Sequence, residues 1–172
     1  VRRRTDKEIE LVVSRATAPT EGEAETETED MAPYLEPSAY IDGTDPMIKK
    51  MAEEGAGGET DPWIVAQRLC THVQMSIKEA NLNVGFATAG EVCRNLEGDC
   101  TEHAVLLAAL GRAMGIPTRV VVGLIYVPSV GEEKNVFGFH MWTQFRIRGK
   151  WQDLDAALSL IHISEPTRLR RI

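Results

Sequence analysis

Nothing in this 172-residue chain approaches the ~18 consecutive apolar residues that a helix needs to cross a bilayer. A basic stripe is also missing. The formal net charge is −7, and residues 21–30 hold six acids and no base. A surface able to neutralise a run of phosphates is therefore not expected, which argues against a nucleic-acid partner. Cysteine is scarce: Cys70, Cys93 and Cys100 form no CxxC pair, so neither a disulfide framework nor a cysteine-rich zinc site is indicated. No acidic cluster of EF-hand type occurs, and neither calcium nor any other cofactor is expected. The chain opens on Val1-Arg2-Arg3-Arg4, without an initiator Met or a signal peptide, as a piece cut from a longer protein would, so the missing signal leaves the compartment open. There is no internal repeat.

What is present suffices for one domain: hydrophobic residues make up 43% of the chain. Residues 1–15 read as a lead-in that includes the end of a strand at 9–13. Residues 16–32 are mostly Thr, Glu, Ala, Gly and Pro, too poor in apolar surface to offset the entropy of ordering, and read as a solvated linker. Residues 33–45 are extended and proline-punctuated. Asp45-Pro46 and Asp61-Pro62 each combine an N-cap with Pro at the first helical position. They predict a short helix to about Glu54, stopped by Gly55-Ala56-Gly57-Gly58, and a longer one to about Ala80. The longer helix carries Ile64, Ala66, Gln67, Leu69, Cys70, Val73 and Ile77 on one stripe. A third helix runs from Cys100 to about Met114, apolar on most sides and hence central, and Gly115-Ile116-Pro117 ends it. Residues 118–127 form a β-branched strand, 128–136 a polar loop, 139–148 an alternating strand, and 151–155 its partner after a turn at Gly149. This order predicts an α+β fold.

Three residues draw attention. Cys100 heads the apolar helix, where unpaired N–H groups and the helix dipole favour a thiolate and can receive an oxyanion. An inert core cysteine fits the same position equally well. His140 at the start of a strand offers an imidazole of the kind that serves a thiol as base, although a lone strand histidine is more often a satisfied sheet residue. A two-residue turn at Arg148-Gly149 pairs Ile147 with Lys150 and, counting outward, Trp142 with Asp155. His140, Trp142 and Asp155 then share a face, and Asp155 lies diagonal to His140, within reach to fix its tautomer. A one-residue slip turns Asp155 away and makes Asp153 the rival.

Three segments in order resemble the bacterial transglutaminase-like superfamily over residues 61–157. They are Gly98-Asp99-Cys100-Thr101-Glu102-His103-Ala104 with the Gly115-Ile116-Pro117 stop, Phe137-Gly138-Phe139-His140-Met141-Trp142, and Trp151-Gln152-Asp153-Leu154-Asp155. The resemblance implies a papain-like, transglutaminase-like α+β core, with a central Cys-bearing helix packed on an antiparallel sheet that carries His and Asp. It assigns catalytic roles to Cys100, His140 and Asp155. It also implies acyl transfer on a protein or peptide amide through a thioester, by peptidase or amidase action at least as readily as by cross-linking, and favours an extracytoplasmic setting. Where family members continue Asp-Pro-Thr, this chain reads Asp155-Ala156-Ala157.

Asp99, His103 and Trp142 are the expected supporting residues: a cap, a partner of the helix N-terminus, and an aromatic that lies on the sheet face or meets substrate. A zinc site built from Cys100, His103, His140 and Asp99 is the rival arrangement and lacks a second close-spaced ligand pair. Glu102 suits the dipole and calls for no further role. Cys70 and Cys93 read as small buried apolar residues. The competing class of function is a catalytically silent binding or structural module on the same scaffold. Residues 158–168 resemble the translation of a sequencing-library adapter, so the expected organisation is a lead-in at 1–32, a domain at 33–157 and a non-native tail at 158–172.

Overall fold

The computed structural model describes residues 30–78, 86–130 and 132–158, together with the backbone of two short paired strands, β1 (Arg3–Arg4) and β2 (Ile9–Glu10). Most of the acidic linker and the tail from residue 159 lie outside the described residues.

Two Asp-Pro signals start two helices. In α1 (Pro46–Ala56) the Asp45 side chain accepts from the Met47 N–H at 2.7 Å, and the helix ends where Gly57 turns left-handed. In α2 (Pro62–Ser76) Asp61 accepts from both Trp63 and Ile64. This helix stops at Ser76, short of the expected Ala80. Ile77 turns extended and is buried, while the Lys78 N–H reaches the Leu96 carbonyl. The buried stripe of α2 is Val65, Ala66, Leu69, Cys70 and Val73, and Ile64 faces solvent instead. A helix that the hydrophobic pattern did not predict, α3 (Ala89–Asn95), begins with a reciprocal capping box between Thr88 and Glu91. Helix α4 (Cys100–Ala113) is the central one, with an unbroken buried run from Ala104 to Gly111. It packs against α1, α2 and α3 and against the sheet.

The sheet is antiparallel, in the order β3 (Thr118–Val130), β4 (Glu133–Ile147), β5 (Lys150–Leu154). The expected polar loop over 128–136 is a continuation of both strands instead: Ser129 pairs with Lys134 and Val130 with Glu133. Cross-strand pairing overrides the polar composition there. The ladder skips only the Pro128–Asn135 position, where proline brings no N–H. The turn at Arg148-Gly149 has both residues left-handed (φ 50° and 79°), the geometry that suits a two-residue hairpin, and Ile147 pairs with Lys150 as the turn predicts.

Two buried threonines tie the helix to the sheet. Thr143 on β4 donates to the Ala104 carbonyl at 2.9 Å, and Thr118 on β3 donates to the Ala108 carbonyl at 2.7 Å. Gly111 makes the close approach possible, because a Cβ there would lie 2.5 Å from Thr118 Cγ2 and 2.6 Å from Phe145 Cε1.

Candidate active site

Cys100 is the first residue of α4 and is half-buried. Its turn lies against β4 just past His140: Thr101 Oγ1 contacts Met141 Sδ at 3.4 Å, and one turn on Ala104 receives the Thr143 hydroxyl. The first-turn N–H groups are nearly all committed. Asp99, the N-cap, accepts from the N–H groups of Thr101 and Glu102, and its carbonyl takes that of His103. The Asp99 N–H itself goes to Glu102 Oε2 at 3.0 Å. The main-chain N–H of Cys100 is the one left without a partner among the described residues.

His140 and Asp155 are both buried and joined, Nε2 to Oδ2, at 2.5 Å. A carboxylate only accepts, so Nε2 carries a proton; in the neutral tautomer this leaves Nδ1 as the unprotonated ring nitrogen. The other oxygen of Asp155 accepts from the N–H groups of Ala157 and Leu158, which fixes the carboxylate from behind. Asp153, the rival under a slipped register, is used elsewhere. Its Oδ1 takes the indole N–H of Trp142 at 2.6 Å and the Gln144 amide at 2.7 Å. Held this way, Trp142 lies nearly parallel to the His140 ring (19° between planes, centroids 6.2 Å apart). Gly123 gives the indole its room, since a Cβ there would fall 2.5 Å from the ring.

His103 turns back on its own helix. Its Nδ1 lies 2.6 Å from the Asp99 carbonyl, which can only accept, so that nitrogen is protonated. Among the described residues no group of three His, Cys, Asp or Glu side chains could hold a metal ion. Burial first, then the neighbouring Asp155 carboxylate, push the Cys70 thiol up to about 12, against a smaller opposing pull from the Asp155 N–H. Cys93 contacts Met51 sulfur at 3.7 Å and is also pushed up, mainly by burial.

Sequence reasoning gave Glu102 no role beyond the dipole, and the structure corrects this. Glu102 is fully buried and bonds two main-chain N–H groups, those of Asp99 and Ala87. The Asp99-x-x-Glu102 spacing signals the first bond. Nothing local signals the second.

A helix headed by cysteine, packed on an antiparallel sheet that carries a joined His–Asp pair, defines a papain-like α+β core. The family model of the Transglutaminase-like superfamily matches residues 49–156, and the chain belongs to that superfamily. No curated protein matches the chain. Among solved structures it is similar to a "putative cysteine protease" from Cytophaga hutchinsonii (TM-score 0.64, 22% identity, covering 74% of this chain and 42% of that one). It is also similar to the periplasmic domain of TgpA from Pseudomonas aeruginosa bound to ethylmercury (TM-score 0.57, 19% identity, 78% and 51%). At these identities the likeness is one of fold, and the chain spans about half or less of each neighbour's length.

Proposed function

We propose that this protein is a cysteine acyl-transfer enzyme acting on amide bonds, with Cys100 as nucleophile, His140 as general base and acid, and Asp155 as the group that orients the histidine. The observation that carries the reading is the His140–Asp155 bond, because it commits Nε2 and leaves Nδ1 as the base on the strand against which the Cys100 turn packs. The family membership supports the same class, and one neighbour in fold carries the description "putative cysteine protease".

The reaction follows from these atoms. His140 Nδ1 takes the thiol proton, and Cys100 Sγ attacks the carboxamide carbon. The carbonyl oxygen gathers negative charge and is met by the uncommitted N–H of Cys100. Collapse of the tetrahedral intermediate breaks the C–N bond, the imidazolium gives its proton to the leaving amine, and a thioester remains. Water, deprotonated by the same nitrogen, releases an acid; a primary amine forms a new amide instead. The first outcome is peptidase or amidase action and the second is protein cross-linking. Asp155 holds the tautomer and stabilises the imidazolium throughout.

The test is the pH dependence of iodoacetamide alkylation at Cys100 in the wild type and in His140→Ala. The reading expects alkylation that persists at acidic pH in the wild type and retreats to alkaline pH in the variant. His140→Ala should also slow acyl transfer by about a hundredfold or more. Alkylation with the same pH profile in both proteins would sink the catalytic assignment and leave a binding or structural module.

A further inference from the structure

Glu102 is fully buried, and none of the chemical steps above uses it. Its two oxygens take two main-chain donors. Oε2 accepts from Asp99, the residue before Cys100, at 3.0 Å, and Oε1 accepts from Ala87, fifteen residues earlier, at 3.2 Å. The first bond ties the turn only to its own helix. The second ties it to the segment in front of α3, which the Thr88–Glu91 capping box and the bond from the Ala89 N–H to the Tyr40 carbonyl hold in place. The Glu102 side chain also fills the space above Gly98. That residue has φ +146°, and a Cβ there would lie 2.3 Å from Glu102 Cβ and 2.4 Å from Cγ. The turn that delivers Cys100 is therefore clasped from behind by one carboxylate that reaches two separate parts of the chain.

We propose that Glu102 is a positioning residue, whose carboxylate bridges the N–H groups of Asp99 and Ala87 to hold the turn before Cys100 in the orientation that aims the Cys100 N–H at the oxyanion. The inference rests on Cys100 being the nucleophile. It predicts a defect specific to steps that develop an oxyanion. Glu102→Gln keeps the length and one acceptor, enough for the Asp99 N–H, but presents an amide donor where the second acceptor was. Glu102→Ala serves neither N–H.

The experiment uses the full chain and two probes, p-nitrophenyl acetate, which acylates through a tetrahedral intermediate, and iodoacetamide, which alkylates by direct displacement. Rates measured on Cys100→Ala are subtracted as background. Acylation should fall about tenfold in Glu102→Gln and further in Glu102→Ala, less than the roughly hundred- to thousandfold lost when an oxyanion donor is removed outright, because the Cys100 N–H stays and is only misaimed. Alkylation, measured above the titration of the thiol, should stay within about twofold of wild type. Unchanged acylation in both variants would overturn the proposal. So would acylation and alkylation falling together in step with the melting temperature, which is the mark of a purely structural role. Wild-type acylation no faster than that of Cys100→Ala would overturn the nucleophile assignment itself, and the role of Glu102 with it.

Discussion

One face of the β3–β4 ladder is covered at one end and bare at the other. Near the turn to β5, Thr118, Thr143 and Phe145 are completely buried under α4. Toward the tip, on the same face, Val122, Leu124, Phe137 and Phe139 are 63%, 59%, 57% and 87% exposed. The residue types are alike, so alternation says which face points inward but not how far the cover extends. Length decides that. A helix of 14 residues spans about 21 Å, whereas a strand of 15 residues spans roughly 50 Å. The cover runs out at the N-terminus of α4, where Cys100 sits and Thr101 meets Met141.

Four substitutions, in two pairs, sharpen this contrast. The largest effect is expected from Phe145→Ala, which should cost about 3–5 kcal/mol in denaturant unfolding, while Phe139→Ala should stay within about 0.5 kcal/mol of wild type. Equal losses would mean that the exposed half is buried in solution. Next is a pair of glycines. Gly111→Ala would force a methyl group into Thr118 and Phe145 and should cost about 1–3 kcal/mol, whereas Gly138→Ala has nothing within 4 Å of the added carbon and should be close to neutral. A thermal melt of each variant decides it.

The smallest effect concerns pH. The Cys70 thiol rises from 9.0 to about 12 in the folded protein, chiefly through burial. Its contribution to stability is fully present below about pH 9 and is lost as pH climbs towards about 12, because in that window the unfolded chain gives up the proton and the folded one keeps it. Between pH 9 and 10 this amounts to roughly 1 kcal/mol. Cys70→Ala should show a correspondingly shallower decline in unfolding free energy over that interval, and an unchanged slope would place the thiol in water.

Much of the geometry of the candidate site was legible because it is local. The left-handed turn chemistry of Arg148-Gly149 fixes the β4–β5 register, and the register delivers Asp155 to His140. The Asp-Pro starts of α1 and α2 and the apolar wrap of α4 were also readable, since each depends on neighbours a few residues apart. Long-range effects were not readable. The strands continue through 128–136 because each supplies the other's ladder bonds, which composition cannot reveal. Helix α3 spans only seven residues, too short for a periodic pattern, although Thr88 and Glu91 mark its start. Glu102 reaches Ala87 across fifteen residues, so burial gave that carboxylate a task that its sequence position did not announce.

The two threonine bonds also index the helix like a toothed shaft. Ala104 and Ala108 follow Cys100 at intervals of four, on one stripe of α4, and each carbonyl is gripped by a hydroxyl from a different strand. Rolling the helix by one residue, about 100°, or sliding it by one step, about 1.5 Å, would release both grips at once. The sheet that carries His140 thereby sets the angular phase of the helix that carries Cys100, and the thiol inherits its bearing from two threonines that the proposed chemistry does not use.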